Sequence, residues 1–350
     1  MDSRDTEYLK RSLKAARAEA DFLIQSRRDL EATLAAFEQS RFWRMTSPLR
    51  KLINSISGPA SDGVGITDAP ITEKQASALQ AISNKPSLGR TGKQTAVDPS
   101  RPGKLVAIFH AFHTDLVPEV TDRLSHSTCF DRVIVTCPND RLEEVKGKIS
   151  KLNIRTDYLA VENVGRDIAP FIQALSLTEP GDVILKLHTK KSPYLSNGRE
   201  WRTELYDSLL LDSCPEKAKA AFASDPTLGM LGPGRHWLAQ DGYIGGNTAL
   251  MEKTVAAFGL DMGLALQTPF VGGTMFYVRR DALCHLSDLS LDWEAFDPPT
   301  KESHVSLAHV FERLFGVFVE ASGHRLAPID DPLQRPFRRR AGEYRFVVST

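Results

Sequence analysis

From Lys104 onward the chain alternates two kinds of segment, and that alternation constrains the fold more than any other feature. "KLVAIFHAF", "FDRVIVTC", "RTDYLAV" and "DVILKLHTK" are short runs rich in β-branched, aromatic and other apolar residues, the composition of buried strands. Between them lie "DLVPEVTDRLSH", "DRLEEVKGKISKL" and "DIAPFIQALSL", whose apolar residues recur at helical spacing. Strands joined by helices of this length pair in parallel through right-handed crossovers, with helices covering both faces of the sheet. The expectation is therefore an α/β fold with a mostly parallel sheet flanked by helices. Further on the pattern is less regular. "TLGMLGP" and "GGTMFYVRR" read as strands, and "TALMEKTVAAFGL" and "SLAHVFERLFGVFVEA" as helices.

The stretch before Lys104 has a different texture. Residues 5 to 40 contain no glycine or proline, and Leu9, Leu13, Ala16, Ala20, Leu23, Leu30, Leu34 and Phe37 fall at heptad spacing. The spacing predicts a coiled-coil helix over 1–40 that self-associates or pairs with a partner; an amphipathic helix packed on its own domain is the alternative. Residues 41–55 follow as a basic amphipathic segment, "RFWRMTSPLRKLINS", with no acidic residue. Such a segment suits an anionic membrane surface or a docking partner. Residues 56–103 are rich in Gly, Ser, Pro, Ala and Thr and read as a flexible linker with one short helix over Thr72 to Ile82. The α/β domain is expected over 104–328, and 329–350 as a basic C-terminal tail.

Composition removes several classes of function. Lysine plus arginine equal aspartate plus glutamate, and the zero formal charge argues against a nucleic-acid partner. Cys129, Cys137, Cys214 and Cys284 are scattered without a C-x-x-C pair, which predicts reduced thiols and no zinc site. The N-terminus lacks the apolar core of a signal peptide, and no apolar run has transmembrane length. A cytoplasmic protein is expected, with the basic segment allowing peripheral contact with the inner face of the cell membrane.

Ligands in open α/β sheets bind beyond the carboxyl ends of the strands, and three unusual clusters fall there. In "ENVGRDIAPF", Asn163 and Gly165 permit a tight turn, and Asp167 stands where a helix N-cap belongs. As a mere cap Asp167 would be replaceable by Asn without loss of stability. Capping leaves Arg166 unexplained, whereas a cation beside a helix N-terminus suits a phosphate. In "KLHTKKSP", His188, Thr189, Lys190 and Lys191 leave the end of a strand, either as a solvated basic loop or as a charge clamp on a diphosphate. In "FVGGTMFYVRR", Gly272 and Gly273 precede Thr274, either as a simple bulge or to let a ligand or another strand approach closely. His309 and Glu312 lie on the polar side of the last helix, which a helical wheel places in solvent. No P-loop or G-x-G-x-x-G motif is present.

Taken together, "NVGRDIAPF", "KLHTKKSP", "FVGGTMFYVRRDAL" and "HVFERLFG" resemble the rhamnan synthesis protein F family of bacterial polysaccharide enzymes, over roughly residues 104–328. The N-terminal helix with "FWRMTSPLRKL" is similar to the extension before many bacterial glycosyltransferase domains. The resemblance implies a GT-A-like fold and rhamnosyl transfer from dTDP-rhamnose onto a growing cell-surface polysaccharide such as lipopolysaccharide. It implies a nucleotide-sugar donor and a glycan or lipid-linked glycan acceptor as partners. A non-catalytic assembly factor that binds a nucleotide sugar or glycan is the alternative. Asn163, Gly165, Arg166, His188, Thr189, Lys190, Lys191, Gly272, Gly273 and Thr274 become the expected substrate-binding residues. Glu312 and Asp167 are the expected catalytic carboxylates, with His188 and His304 as other candidates for the base. Where GT-A enzymes carry a metal-binding Asp-x-Asp, this chain carries "LHTKK". Lysines can supply the missing charge, so no cofactor or metal is expected.

Overall fold

The computed structural model describes residues 71–86, 88, 103–192, 195, 197–240, 243–298, 305–339 and 343–346. The coiled coil expected over 1–40 and the basic segment over 41–55 lie outside these residues, as does His304. Among the described residues nine strands run in chain order: β1 (Leu105–His110), β2 (Arg132–Pro138), β3 (Thr156–Val161), β4 (Val183–His188), β5 (Leu228–Gly232), β6 (Trp237–Leu238), β7 (Phe270–Val271), β8 (Phe276–Arg279) and β9 (Arg325–Pro328). Seven of them form one sheet in the order β3-β2-β1-β4-β8-β5-β9, and β6 pairs with β7 separately. The pairs β2–β3, β1–β2, β1–β4 and β5–β9 are parallel, while β8 runs antiparallel to both β4 and β5. The mostly parallel α/β sheet expected from the alternation is present.

Every residue of β1 and β4 is buried, as central strands covered on both faces must be. The period of two divides their side chains between two cores. Val106, Ile108 and Ile184 face one core, and Leu105, Ala107, Phe109, Leu185 and Leu187 face the other. Among the described residues ten α-helices, labelled in chain order, surround the sheet: α1 (Glu73–Ser83), α2 (Val117–Ser125), α3 (Leu142–Ile149), α4 (Ile168–Leu175), α5 (Gly198–Leu210), α6 (Cys214–Ser224), α7 (Thr248–Ala257), α8 (Met262–Gln267), α9 (Cys284–Ser287) and α10 (Leu307–Ala321). The core that holds Ile108 takes buried side chains from α1, α4, α7 and α10, and the opposite core from α2, α3, α5 and α6.

Two terminal pieces differ from expectation because they carry apolar side chains into these cores. The helix expected inside the linker is α1, closed by a capping box in which Thr72 and Gln75 satisfy each other's backbone N–H groups. Its Ala78, Leu79 and Ile82 are buried and it packs against α7, so this part of 56–103 is not linker. Residues 343–346, expected in a basic tail, return to the second core. Phe346 stacks on Trp201 with ring centroids 5.8 Å apart, and the Tyr344 hydroxyl lies 2.6 Å from His236 Nδ1.

The direction of β8 decides where the site forms. Its first residue, Phe276, pairs with Lys186 near the carboxyl end of β4. The turn before β8 therefore arrives at the same sheet edge as the loops that leave the parallel strands. Because Ile82 is a buried core residue of α1, Ile82→Ala is expected to destabilise the fold by about 2–4 kcal/mol. Urea denaturation checks this, and an unchanged midpoint would return α1 to the linker.

Candidate active site

The carboxyl ends of β1 and β4 deliver His110 and His188 side by side in register. The loop after β3 brings Asn163 to Asp167, the turn before β8 brings Gly272 to Thr274, and α10 lays His309 and Glu312 across them. At the bottom lies Lys186, two residues before His188 on β4 and 1% exposed. Its ammonium pairs with the Asp167 carboxylate and donates to the Thr274 carbonyl oxygen at 2.9 Å. It also sits 5.4 Å from the centre of the Phe171 ring. One buried cation thus ties together β4, the loop after β3 and the turn before β8.

This arrangement displaces the cap reading of Asp167. The residue occupies the N-cap position of α4 but caps nothing, because its carboxylate is turned to Lys186. The backbone N–H groups of Ile168 and Ala169 bond instead to the carbonyl of Gly165, at 3.1 and 3.2 Å. Burial works against ionisation of Asp167, and the pull of the His188 ring when that ring is protonated, together with the Lys186 ammonium and its hydrogen bond, outweighs it and holds the carboxyl well below its ordinary range. His188 Nδ1 lies 3.4 Å from Asp167 Oδ2 without hydrogen-bond alignment. Burial keeps the His188 ring well below its ordinary value, so it is neutral at pH 7 and Lys186 is the standing cation. Burial likewise lowers His110 to about 4, and its Nδ1 meets Thr136 Oγ1 at 3.0 Å.

The loops around this pair hold strained backbone. Arg166, Ser192 and Thr274 adopt positive φ of 57°, 45° and 54°. A left-handed conformation costs a non-glycine residue roughly 1–2 kcal/mol, and such residues cluster where surrounding structure holds them for function. Gly165 and Gly273 share the conformation, with φ of 68° and 91°. A Cβ on Gly165 would lie 2.4 Å from that of Ala169, and one on Gly273 would lie 2.7 Å from Leu205 Cδ1. Their close approach is to protein side chains, which is the packing use of the glycine pair.

The polar side of α10 faces the cleft. Thr274 Oγ1 donates to Glu312 Oε1 at 2.7 Å. Arg166 Nη1 lies 2.8 Å from His309 Nε2, and His309 Nδ1 lies 3.1 Å from Ser306 Oγ. A neutral His309 protonated on Nδ1 satisfies both contacts. The helical wheel assigned Glu312 and His309 to solvent because a single helix does not show what is built opposite its polar face.

The two lysines of "LHTKK" separate. Lys190 Nζ sits 3.9 Å from the centre of the Trp201 ring, and burial lowers its pKa against the pull of Glu312. Lys191 turns outward to Asp115 at 2.8 Å. Thr189 uses its hydroxyl to accept the His113 N–H at 2.8 Å and so fixes the loop after β1. The cleft has two lobes that share Arg166, Asp167, His188 and Lys190. His110, Asn163, Thr189, Lys191 and Asp297 line one lobe. Trp201, Tyr243, Gly272, Gly273 and Glu312 line the other. Sequence reasoning missed Lys186, His110, Trp201 and Asp297. A lone lysine in an otherwise apolar strand was the available signal for Lys186. Asp297 accepts the Gly165 N–H at 2.7 Å from 132 residues away, a contact that no local pattern announces. Among the described residues no three His, Cys, Asp or Glu side chains converge to hold a metal, and Lys186 occupies Asp167. That donor set does not fit a divalent ion.

A family model described as rhamnan synthesis protein F matches residues 88–324. The chain belongs to the rhamnan synthesis protein F family. It is also 32% identical over 242 residues to the uncharacterized protein WxcX from two strains of Xanthomonas campestris pv. campestris, covering 69% of this chain. The chain spans about a third of those relatives, 35% of their length. Among solved structures, 4-diphosphocytidyl-2C-methyl-D-erythritol synthase from Anaerococcus prevotii overlaps 40% of this chain and 58% of its own, with 16% identity and a TM-score of 0.25. That overlap is too slight to carry an argument. The family match covers every cluster that forms the cleft, and it includes α10.

Two measurements follow from the buried charges. Asp167→Asn strands the buried Lys186 ammonium and is expected to cost about 3–5 kcal/mol in urea denaturation, while Lys186→Met leaves the half-buried Asp167 carboxylate without its cation and should cost less. The double variant should lose clearly less than the sum; strict additivity would show that the pair is not coupled. The second concerns pH. Burial lowers His110 and His236 to about 4 and His285 to about 3, from an ordinary 6.5. The unfolded chain therefore takes up protons first as pH falls below about 6.5, and stability declines from there toward pH 4. Each such histidine should cost about 2 kcal/mol at pH 5. Thermal melts at pH 7.5 and pH 5 read this directly, and equal melting temperatures would contradict it.

Proposed function

We propose that the protein is a glycosyltransferase of polysaccharide synthesis, moving a sugar from a nucleotide donor to a glycan hydroxyl. The observation that carries the reading is the pair of lobes with Arg166 and Lys190 between them and Glu312 on the far side. A nucleoside diphosphate needs cations where its leaving group gains charge, and Arg166 and Lys190 stand there. An acceptor hydroxyl needs a base within hydrogen-bond reach, and Glu312 is held for that by the Thr274 hydroxyl. The donor lies in the lobe lined by Asn163 and Lys191, and the acceptor lies in the lobe lined by Trp201 and Tyr243.

In this scheme the acceptor oxygen attacks the anomeric carbon and forms the new glycosidic bond. The bond from that carbon to the phosphate oxygen breaks, and the electron pair leaves with the nucleoside diphosphate. The acceptor proton passes to Glu312. Asp167, bound to Lys186, positions the partition and takes no proton, which changes the catalytic role expected for it. In this proposal the sugar is rhamnose, for which the family description as a rhamnan synthesis protein is the support, and the donor is taken to be dTDP-rhamnose. GT-A-like architecture is part of the same proposal, supported by the antiparallel strand inserted in a parallel sheet. Work at the cytoplasmic face of a membrane is part of it too. Among the described residues no helix is long and apolar enough to cross a membrane.

A thermal-shift screen of nucleotide sugars, followed by a transfer assay on the hit, tests the reading. Lys190→Ala should weaken donor binding roughly tenfold or more, the scale of one charge-assisted contact. Glu312→Gln should retain donor affinity and lose transfer by at least about 100-fold. Transfer should persist in EDTA. Normal turnover in Glu312→Gln would remove the base, and loss of activity on chelation with rescue by manganese would restore a metal. Binding without hydrolysis or transfer would favour the assembly-factor alternative.

A further inference from the structure

Opposite in character to the cleft is a patch formed by α8 and the strap that follows β9. Among the described residues four large apolar side chains are exposed: Leu177, Leu266, Leu333 and Phe337. Leu266 belongs to α8 and Leu333 and Phe337 to the strap, at 47%, 89% and 68% exposure. Arg338 Nη1 donates to the carbonyl of Gln267, the neighbour of Leu266, at 2.5 Å, which joins strap to helix. The strap is pinned at its far end. Ala239 N–H bonds to the Arg339 carbonyl at 2.9 Å, and Arg339 N–H bonds to the Trp237 carbonyl at 3.0 Å. Phe337 thus lies exposed beside two anchored arginines, Arg338 and Arg339.

Charge gives the patch its partner. From Pro332 to Arg339 there is no acidic residue, and Arg335, Arg338 and Arg339 interleave with Leu333 and Phe337. Arg335 is 87% exposed and, among the described residues, makes only a loose ion pair, its Nη1 4.0 Å from Glu320 Oε1. Glu320 itself is engaged by the Thr268 hydroxyl. Apolar side chains flanked by arginines suit the boundary between phosphate headgroups and acyl chains, where each kind of group finds its own environment. A protein partner would need a large complementary acidic surface, whereas a bilayer offers apolar depth and negative charge at once. We propose that this patch is a docking surface for an anionic lipid bilayer, with Leu266, Leu333 and Phe337 inserted and the arginines on headgroup phosphates. The surface borders the Glu312 lobe, since Pro269 lines the groove beside the strap and Phe270 lines the cleft. Docking would bring that lobe close to the membrane, yet the inference does not depend on glycosyl transfer.

The test is co-sedimentation of the full chain with vesicles of phosphatidylcholine alone and with phosphatidylglycerol added. The protein should pellet with the anionic vesicles and release at high salt. Leu333→Ser/Phe337→Ser should lower the partition coefficient roughly tenfold or more, and Arg335→Ser/Arg338→Ser should lower it on anionic vesicles only. Melting temperature and nucleotide-sugar binding should be unchanged in the first pair, whose side chains are exposed. Unaltered partitioning in both pairs would overturn the proposal, including the case in which the segment before residue 71 carries all binding. Equal binding to neutral and anionic vesicles would overturn it as well. A change in oligomeric state of the first pair without a change in vesicle binding would assign the patch to a protein interface instead.

Discussion

A buried ammonium must have a partner, and Lys186 has two: the Asp167 carboxylate and the Thr274 carbonyl oxygen. Removing a charge from water costs several kcal/mol unless it is paired and hydrogen-bonded. The fold therefore forms with the loop after β3 and the turn before β8 drawn onto the end of β4. Everything that lines the cleft hangs from that requirement. Arg166 is next to Asp167, His188 is one strand period beyond Lys186, and the Thr274 hydroxyl reaches Glu312. The positive φ values at Arg166 and Thr274 are held by the same anchor from either side.

The alternating segments made most of the sheet legible in the sequence. β1 to β4 and the helices between them require only local pattern, and their bounds follow the quoted runs closely. α5 and α6 were not read, nor was the antiparallel course of β8, because strand direction is decided by the partner. The terminal pieces were misread through composition. The Gly- and Ser-rich surroundings of α1 hid Ala78, Leu79 and Ile82, and the arginines before Tyr344 and Phe346 hid two core aromatics.

The site was half legible for the same reason. Charged residues at strand ends pointed to Arg166, Asp167, His188 and Lys190, which the fold brings together. Their partners were not legible, since Lys186–Asp167 spans 19 residues, Thr274–Glu312 spans 38 and Arg166–His309 spans 143. Sequence adjacency also paired Lys190 with Lys191, which the structure separates between Trp201 and Asp115. The family match makes polysaccharide synthesis the setting for these residues. Within that setting the proposed sugar transfer draws on the cationic side chains shared by the two lobes and on the carboxylate of Glu312.

The most direct measurement is photo-crosslinking of the full chain with a photoreactive nucleoside diphosphate, followed by peptide mapping. If the diphosphate sits against the partition of the cleft, label will appear on peptides containing residues 163–167 or 188–192, and an excess of unmodified nucleotide sugar will suppress it. Label confined to other peptides, or label on these that unmodified donor does not displace, would contradict a donor site between Arg166 and Lys190.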